Sequence, residues 1–163
     1  MGKNIVLVGM PGSGKTRVGK LLAAQLGRLF IDSDVEIEAQ AAMEIPMIFQ
    51  TEGEAGFRKR ESAVLQSISQ GEDLVIATGG GIVTQERNQA YLRKNAYVIF
   101  LKRDINKLEK AGRPLSQGGD LAQMYAQRLP LYEQVSDFCV ENEGRPEETA
   151  QKILQRLRKG EQG

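Results

Sequence analysis

Ile5-Val6-Leu7-Val8-Gly9-Met10-Pro11-Gly12-Ser13-Gly14-Lys15-Thr16 is the stretch that decides the fold. Its last eight residues have the form G-x-x-x-x-G-K-[ST], a phosphate-binding loop. The four residues before them form a short β-branched apolar run that reads as a buried strand. After them Val18, Leu21, Leu22 and Leu26 recur at helical spacing, and Gly27 stands where a C-terminal cap belongs. Strand, glycine loop and helix are the context the motif requires. Glycines let the backbone approach phosphates, the N–H groups at the helix N-terminus hold the anion, and Lys15 reaches the terminal phosphates. Thr16 is then a Mg²⁺ ligand, and the chain is expected to bind a nucleoside triphosphate.

Short apolar runs at 5–8, 29–31, 74–77, 97–101 and 138–140 alternate with helical patterns at about 15–26, 34–42, 53–69, 85–94, 119–133 and 147–158. Pro46 opens a short helical turn, 46–49, ahead of the third of these helices. Such alternation predicts an α/β domain with a parallel sheet covered on both faces. Ligands of open α/β sheets bind beyond the carboxyl ends of the strands. Gly9–Thr16, Asp32–Asp34 and Thr78–Gly81 each follow an apolar run directly, so all three converge on one edge.

The composition narrows the chemistry. The 163 residues hold 22 basic and 21 acidic side chains, a formal charge of +1, with no histidine and one cysteine. That length suits one domain burying roughly two thirds of its unfolded surface. No global field recruits nucleic acid or a membrane, and neither is expected as a partner. Imidazole metal sites, Ser-His-Asp triads, cysteine clusters and an internal disulfide are all excluded. A general base must be a carboxylate or a lysine. No segment has the length of a membrane span or the apolar core of a signal peptide, so the expected location is the cytoplasm. Cys139 is expected to pack in the interior.

Four further segments carry chemistry. Asp32-Ser33-Asp34 offers one aspartate to position Mg²⁺ through water and another to face a hydroxyl group; the same residues also suit a helix N-cap, with Asp34 or Ser33 as the capping residue. Arg58 and Glu61, three apart in Phe57-Arg58-Lys59-Arg60-Glu61, share a helix face. Either they belong to a solvated charge run, or Glu61 orients the Arg58 fork toward a ligand carboxylate. Gly79-Gly80-Gly81 after Thr78 are more glycines than a turn needs, which points to backbone in close contact with a ligand. Gly112-Arg113-Pro114-Leu115-Ser116-Gln117-Gly118-Gly119 has the composition of a mobile cover that brings an arginine to a transferring phosphoryl group, or of an ordinary surface loop. Arg128 and the pair Arg145-Pro146, with Pro146 in the first turn of the last helix, complete the set.

Together these segments resemble the shikimate kinases. The resemblance runs from Ile5 to about Leu157, with G-M-P-G-S-G-K-T, D-S-D, F-R-K-R-E, A-T-G-G-G, R-P-L and R-L-P-L-Y in family order. It implies a three-layer nucleoside monophosphate kinase-like fold with a five-stranded parallel sheet in order 2-3-1-4-5 and a mobile lid. Residues 1–163 then form a single P-loop kinase domain, with a core at about 1–106 and 134–158, a lid at about 107–120 and an acceptor-binding region at about 33–61. The implied reaction is Mg²⁺-dependent transfer of the ATP γ-phosphate to the 3-hydroxyl of shikimate, a step of aromatic amino-acid biosynthesis.

Carried over residue by residue, Gly12, Ser13, Gly14, Lys15, Thr16 and Arg17 wrap the phosphates, and Thr16 with Asp32 manages Mg²⁺. Asp34 contacts the acceptor hydroxyls as the candidate base. Arg58 and Arg128 hold the acceptor carboxylate, Glu61 braces Arg58, and Gly79, Gly80 and Gly81 add backbone contacts. Lys15, Asp34 and Arg113 are the implied catalytic residues, Arg113 also touching nucleotide, with Arg145 and Pro146 beside the adenine. A monomer is expected. The chain departs from the family where Lys107-Leu108-Glu109-Lys110 replaces an arginine that packs over adenine. A kinase for another small hydroxy acid and a non-catalytic nucleotide-binding module are the alternatives.

Overall fold

Strand β1 (Asn4–Val8) is buried along its whole length because it is the middle of the sheet. In this computed structural model, which describes residues 2–110 and 120–162, β1 lies between β3 (Leu74–Ala77) and β4 (Ala96–Lys102). Leu7 pairs with Ala77 on one side and Ile99 on the other. A strand covered on both faces needs no polar alternation, which is why it reads as an unbroken apolar run. Strand β2 (Leu29–Asp32) lies beyond β3, and β5 (Phe138–Glu141) lies beyond β4. Every pairing is parallel and the order is β2-β3-β1-β4-β5, as expected.

The pleat of β1 divides its side chains between two cores. Ile5 and Leu7 join Val18 and Leu22 of α1 (Lys15–Leu26) and Ile153 and Leu154 of α7 (Pro146–Gln162). Val6 and Val8 point the other way, to Leu92 of α4 (Asn88–Arg93) and Tyr132 of α6 (Leu121–Val135). A third, smaller cluster of Ile37, Ile48, Phe57 and Val64 ties α2 (Ser33–Ala41) to α3 (Ile45–Ile68).

Several expectations need correction. The buried stripe of α1 is Val18, Gly19, Leu22 and Ala23; Leu26 is 37% exposed and Leu21 only partly buried. Gly19 takes a place in that stripe because Phe30 lies against it, where an added Cβ would stand 2.6 Å from the ring. Gly27 does cap the helix, at φ 65°. Helix α3 starts at Ile45 with Pro46 in its first turn and breaks at Gly53 (φ 75°, ψ 179°), which separates the short opening turn from the long helix. The helix expected at 85–94 shortens to α4, Asn88–Arg93, and a 3₁₀ turn at Ile82–Thr84 precedes it.

Helix α5 (Ile105–Lys110) has no counterpart in the sequence reading. Residues 107–110, placed in the lid by the family resemblance, are its last turn, and Leu108 is buried in the core. Residues 111–119, with Arg113, lie outside the described residues. Cys139 is exposed rather than packed, because β5 is an edge strand and its neighbours Phe138 and Val140 are the ones that turn toward the core.

Candidate active site

The loop after β1 is held open by its own glycines. Gly12 and Gly14 sit at φ 84° and 97°, a region that residues with a Cβ avoid. Helix α1 starts at Lys15 with no side chain capping its first turn, so N–H groups remain directed at the space in front of it. Lys15, 8% exposed, donates from Nζ to the carbonyls of Gly9 (2.6 Å) and Met10 (2.9 Å). Its ammonium thus lies across the mouth of the loop it serves.

Thr16 donates from Oγ1 to Asp32 Oδ2 at 3.0 Å, while Asp32 Oδ1 accepts from the Asp34 N–H at 2.9 Å. The N-cap of α2 is therefore Asp32, not Asp34 or Ser33, and its other carboxylate oxygen faces the phosphate loop. A hydroxyl and a carboxylate oxygen side by side are the hard donors that Mg²⁺ takes. Among the described residues no group of three or more His, Cys, Asp or Glu forms a closed cage.

Arg58 and Glu61 of α3 are 8% and 0% exposed, and Arg58 donates from an η nitrogen to Glu61 Oε1 at 2.9 Å. The solvated charge run is excluded for this pair; Lys59 points to solvent, and Arg60 makes a bidentate bond to Glu52 at 2.7 and 2.8 Å. Burial pushes the Glu61 carboxyl above its ordinary range, against the pull of Arg58, and the nearby Asp34 charge adds to the rise.

The three glycines after β3 lie hard against protein neighbours and also line the cavities described below. A Cβ on Gly79 would stand 2.8 Å from Asp34 Oδ1 and 3.2 Å from Glu61 Oε2, and one on Gly80 would strike the Pro11 ring. At Gly81 it would strike the Arg58 guanidinium. The turn is a floor on which loop, aspartate and arginine rest. Tyr132 of α6 secures it from below, its hydroxyl donating to the Gly80 carbonyl at 2.5 Å. Burial raises the Tyr132 phenol to about 12, although Arg128 beside it pulls the other way.

These parts enclose two cavities that share a wall. The larger, about 520 Å³, is lined by Gly12, Gly14, Lys15, Thr16, Arg17 and Asp32. The smaller, about 260 Å³, is lined by Arg58, Glu61, Gly81 and Arg128, with Phe49 and Phe57 as an apolar side. Pro11, Asp34, Gly79 and Gly80 line both. Phosphate loop and paired arginines thus open onto one carboxylate, Asp34.

Of the expected residues, Ser13 lies buried beneath the loop. Arg145 and Pro146 stay out of both cavities, the former exposed and 3.6 Å from Glu147. Sequence reasoning missed Pro11, Phe49, Phe57 and Tyr132. Phe57 and Tyr132 belong to quoted motifs, F-R-K-R-E and R-L-P-L-Y, and their aromatic positions were the available signal. Phe49 stacks on Phe57 at 4.6 Å between centroids, a contact no local pattern announces. Lys107, in the stretch that lacks the family's arginine, is tied to Glu143, 3.1 Å from its carboxylate and 2.9 Å from its carbonyl.

The family model described as shikimate kinase matches residues 11–158. A shikimate kinase of Nitrosomonas europaea is 44% identical over 98% of this chain and 80% of its own length. One from Acinetobacter baylyi is 45% identical over 93% of this chain and 89% of its own. The solved shikimate kinase from Acinetobacter baumannii in complex with shikimate superposes with a TM-score of 0.90 at 41% identity, covering 97% of this chain and 94% of that one. A phosphate loop and an arginine-lined cavity meeting at one aspartate, in a chain so alike to these proteins from end to end, make it a member of the shikimate kinase family.

Proposed function

We propose that this chain transfers the γ-phosphate of ATP to the 3-hydroxyl of shikimate, giving shikimate 3-phosphate and ADP, and that Asp34 is the residue at which the two substrates meet. The observation that carries this reading is the shared wall: Asp34 lines both the loop cavity and the arginine cavity. An acceptor with one carboxylate and several hydroxyls on a ring asks for cationic forks, an acidic acceptor group and an apolar side. Arg58 and Arg128, Asp34, and the Phe49–Phe57 stack supply these in the smaller cavity.

The residues divide the work as follows. The N–H groups from Gly12 to Arg17 take the phosphate oxygens, and Lys15 turns from the Gly9 and Met10 carbonyls to the terminal phosphates. Thr16 and Asp32 hold Mg²⁺, which when bound neutralises charge shared between the β- and γ-phosphates. Asp34 accepts the proton of the attacking hydroxyl. Glu61 keeps Arg58 in place, so that its fork is ordered before the acceptor arrives. Arg113 meets the transferring phosphoryl group, and Arg145 with Pro146 flanks the adenine. Residues about 107–120 serve as the lid. The chain acts as a monomer, since both cavities are built within one copy, and its place is the cytoplasm, where both substrates are at hand; no described helix is long and apolar enough to cross a membrane.

The test is a coupled assay for ADP release with MgATP and shikimate, beside gluconate and a no-acceptor control. Shikimate-dependent release that Lys15→Ala abolishes is the expected result. Release with gluconate alone would move the acceptor, and shikimate binding without release would reduce the chain to a binding module. Asp34→Asn is expected to lower kcat at least tenfold with ATP affinity nearly unchanged, and a variant retaining more than about a tenth of the rate would remove Asp34 as base.

A further inference from the structure

We propose that Arg103 and Asn142, which lie at the ends of β4 and β5 outside both cavities, are positioning residues that set the phosphate loop for ATP from behind. Arg103 donates to the Gly12 carbonyl at 2.9 Å across 91 residues of chain. Asn142 donates from Nδ2 to the next carbonyl, Ser13, at 2.8 Å across 129. These are adjacent peptide planes of the loop. A peptide unit is planar and its C=O and N–H point to opposite sides, so holding the carbonyl fixes the amide. Fixing the Ser13 carbonyl behind the loop sends the Gly14 N–H to the front, where Gly14 lines the larger cavity. Fixing the Gly12 carbonyl locks the tight turn in which the Ser13 N–H donates to Met10 at 3.1 Å.

Asn142 is itself held, and the strand ends that carry both donors are tied together. Thr149 Oγ1 donates to Asn142 Oδ1 at 2.7 Å, which leaves the amide of Asn142 one orientation, NH₂ toward Ser13. The Asn142 N–H donates to the Lys102 carbonyl at 2.7 Å, and the Asp104 N–H to Glu143 at 2.8 Å. The two strand ends are thus stitched into one bracket. Gly14 has no room for a Cβ because it would meet Asn142 Nδ2. Lys15 also holds loop carbonyls, but it is the group that turns to the phosphates; Arg103 and Asn142 are free to stay. Arg103 adds a cation behind a loop that must receive several negative charges.

This inference rests on residues 9–16 being the ATP site, so MgATP binding to the wild-type enzyme is measured first by calorimetry; its absence would sink that reading, not the bracket. Arg103→Leu keeps the aliphatic bulk and removes the donor. It is expected to raise both the ATP dissociation constant and the KM for ATP about tenfold, the scale of one hydrogen bond from a charged group. Shikimate affinity should stay within about twofold, and Arg103→Lys, which retains a cationic donor, should recover most of the loss. Asn142→Ala is expected to act in the same direction, and the double variant to lose less than the sum, because the two residues hold neighbouring peptides. ATP and shikimate binding weakened together would make the bracket merely structural. Unchanged ATP binding in either single variant, or losses that add fully, would overturn the proposal.

Discussion

Arg58 shows why a charged residue in a site cannot be judged by deleting it. Its partner Glu61 is wholly buried, so Arg58→Ala would leave a carboxylate in the interior with its cation gone, at a cost of about 3–5 kcal/mol. Lost activity in that variant would mix unfolding with lost recognition. Arg58→Lys keeps the charge and gives up the planar fork. We expect it to raise the KM for shikimate at least tenfold with the KM for ATP within twofold, measured by varying each substrate in turn; equal rises in both would mark Arg58 as structural. Glu61 carries a pH signature as well. Burial raises its pKa in the folded state, so the folded protein holds this proton more tightly than the unfolded chain. Stability from this group is full below the ordinary glutamate range and is lost as pH rises toward the folded value. Glu61→Gln, neutral throughout, should therefore gain on the wild type in urea midpoint as pH rises through that window, then level off. A constant difference would show that Glu61 does not titrate there.

At the scale of elements, the turn after β3 joins parts that are distant in sequence. Gly81 gives Arg58 its space, so Gly81→Ala is expected to displace the guanidinium and raise the KM for shikimate while sparing that for ATP. Gly80→Ala presses instead on Pro11 and should disturb ATP binding too. The contrast is read in the ratio of the two KM values. Tyr132→Phe removes a 2.5 Å bond from α6 to that turn and should cost about 1 kcal/mol, lowering Tm by about 2–4 °C in a thermal melt. This turn also marks how far the sequence could be read. Three glycines announced a close approach, and the protein side of it is made by Pro11, Asp34, Glu61 and Arg58. Sequence spacing names residues three or four apart on a helix, as with Arg58 and Glu61, and is silent about pairs brought together by a sheet. Helix α5 was missed for a related reason: Leu108 earns no periodic pattern in six residues and is helical because the core receives it.

For the whole molecule, the parallel sheet and the converging strand ends were legible in the alternation of apolar runs and helices, whereas the strand order came only with the family resemblance. The exposure of Cys139, the cap at Asp32 and the bracket behind the loop were not, since each depends on which strand is an edge and which carbonyl a remote side chain reaches. Ligands that bind only the folded chain should stabilise all of it: ATP at a hundred times its dissociation constant adds about 2.7 kcal/mol, seen as a rise in Tm. Shikimate without nucleotide should raise Tm as well, and gluconate should not; a rise with gluconate alone would redirect the acceptor assignment. The central place of β1 has a cost in time. Its Leu7 pairs with Ala77 of β3 and Ile99 of β4, about 70 and about 90 positions later. At a synthesis rate of about 5–20 residues per second, this fully buried strand waits about 4–14 s for its first neighbour. During that interval the ribosome-bound chain offers an unpaired edge to its surroundings.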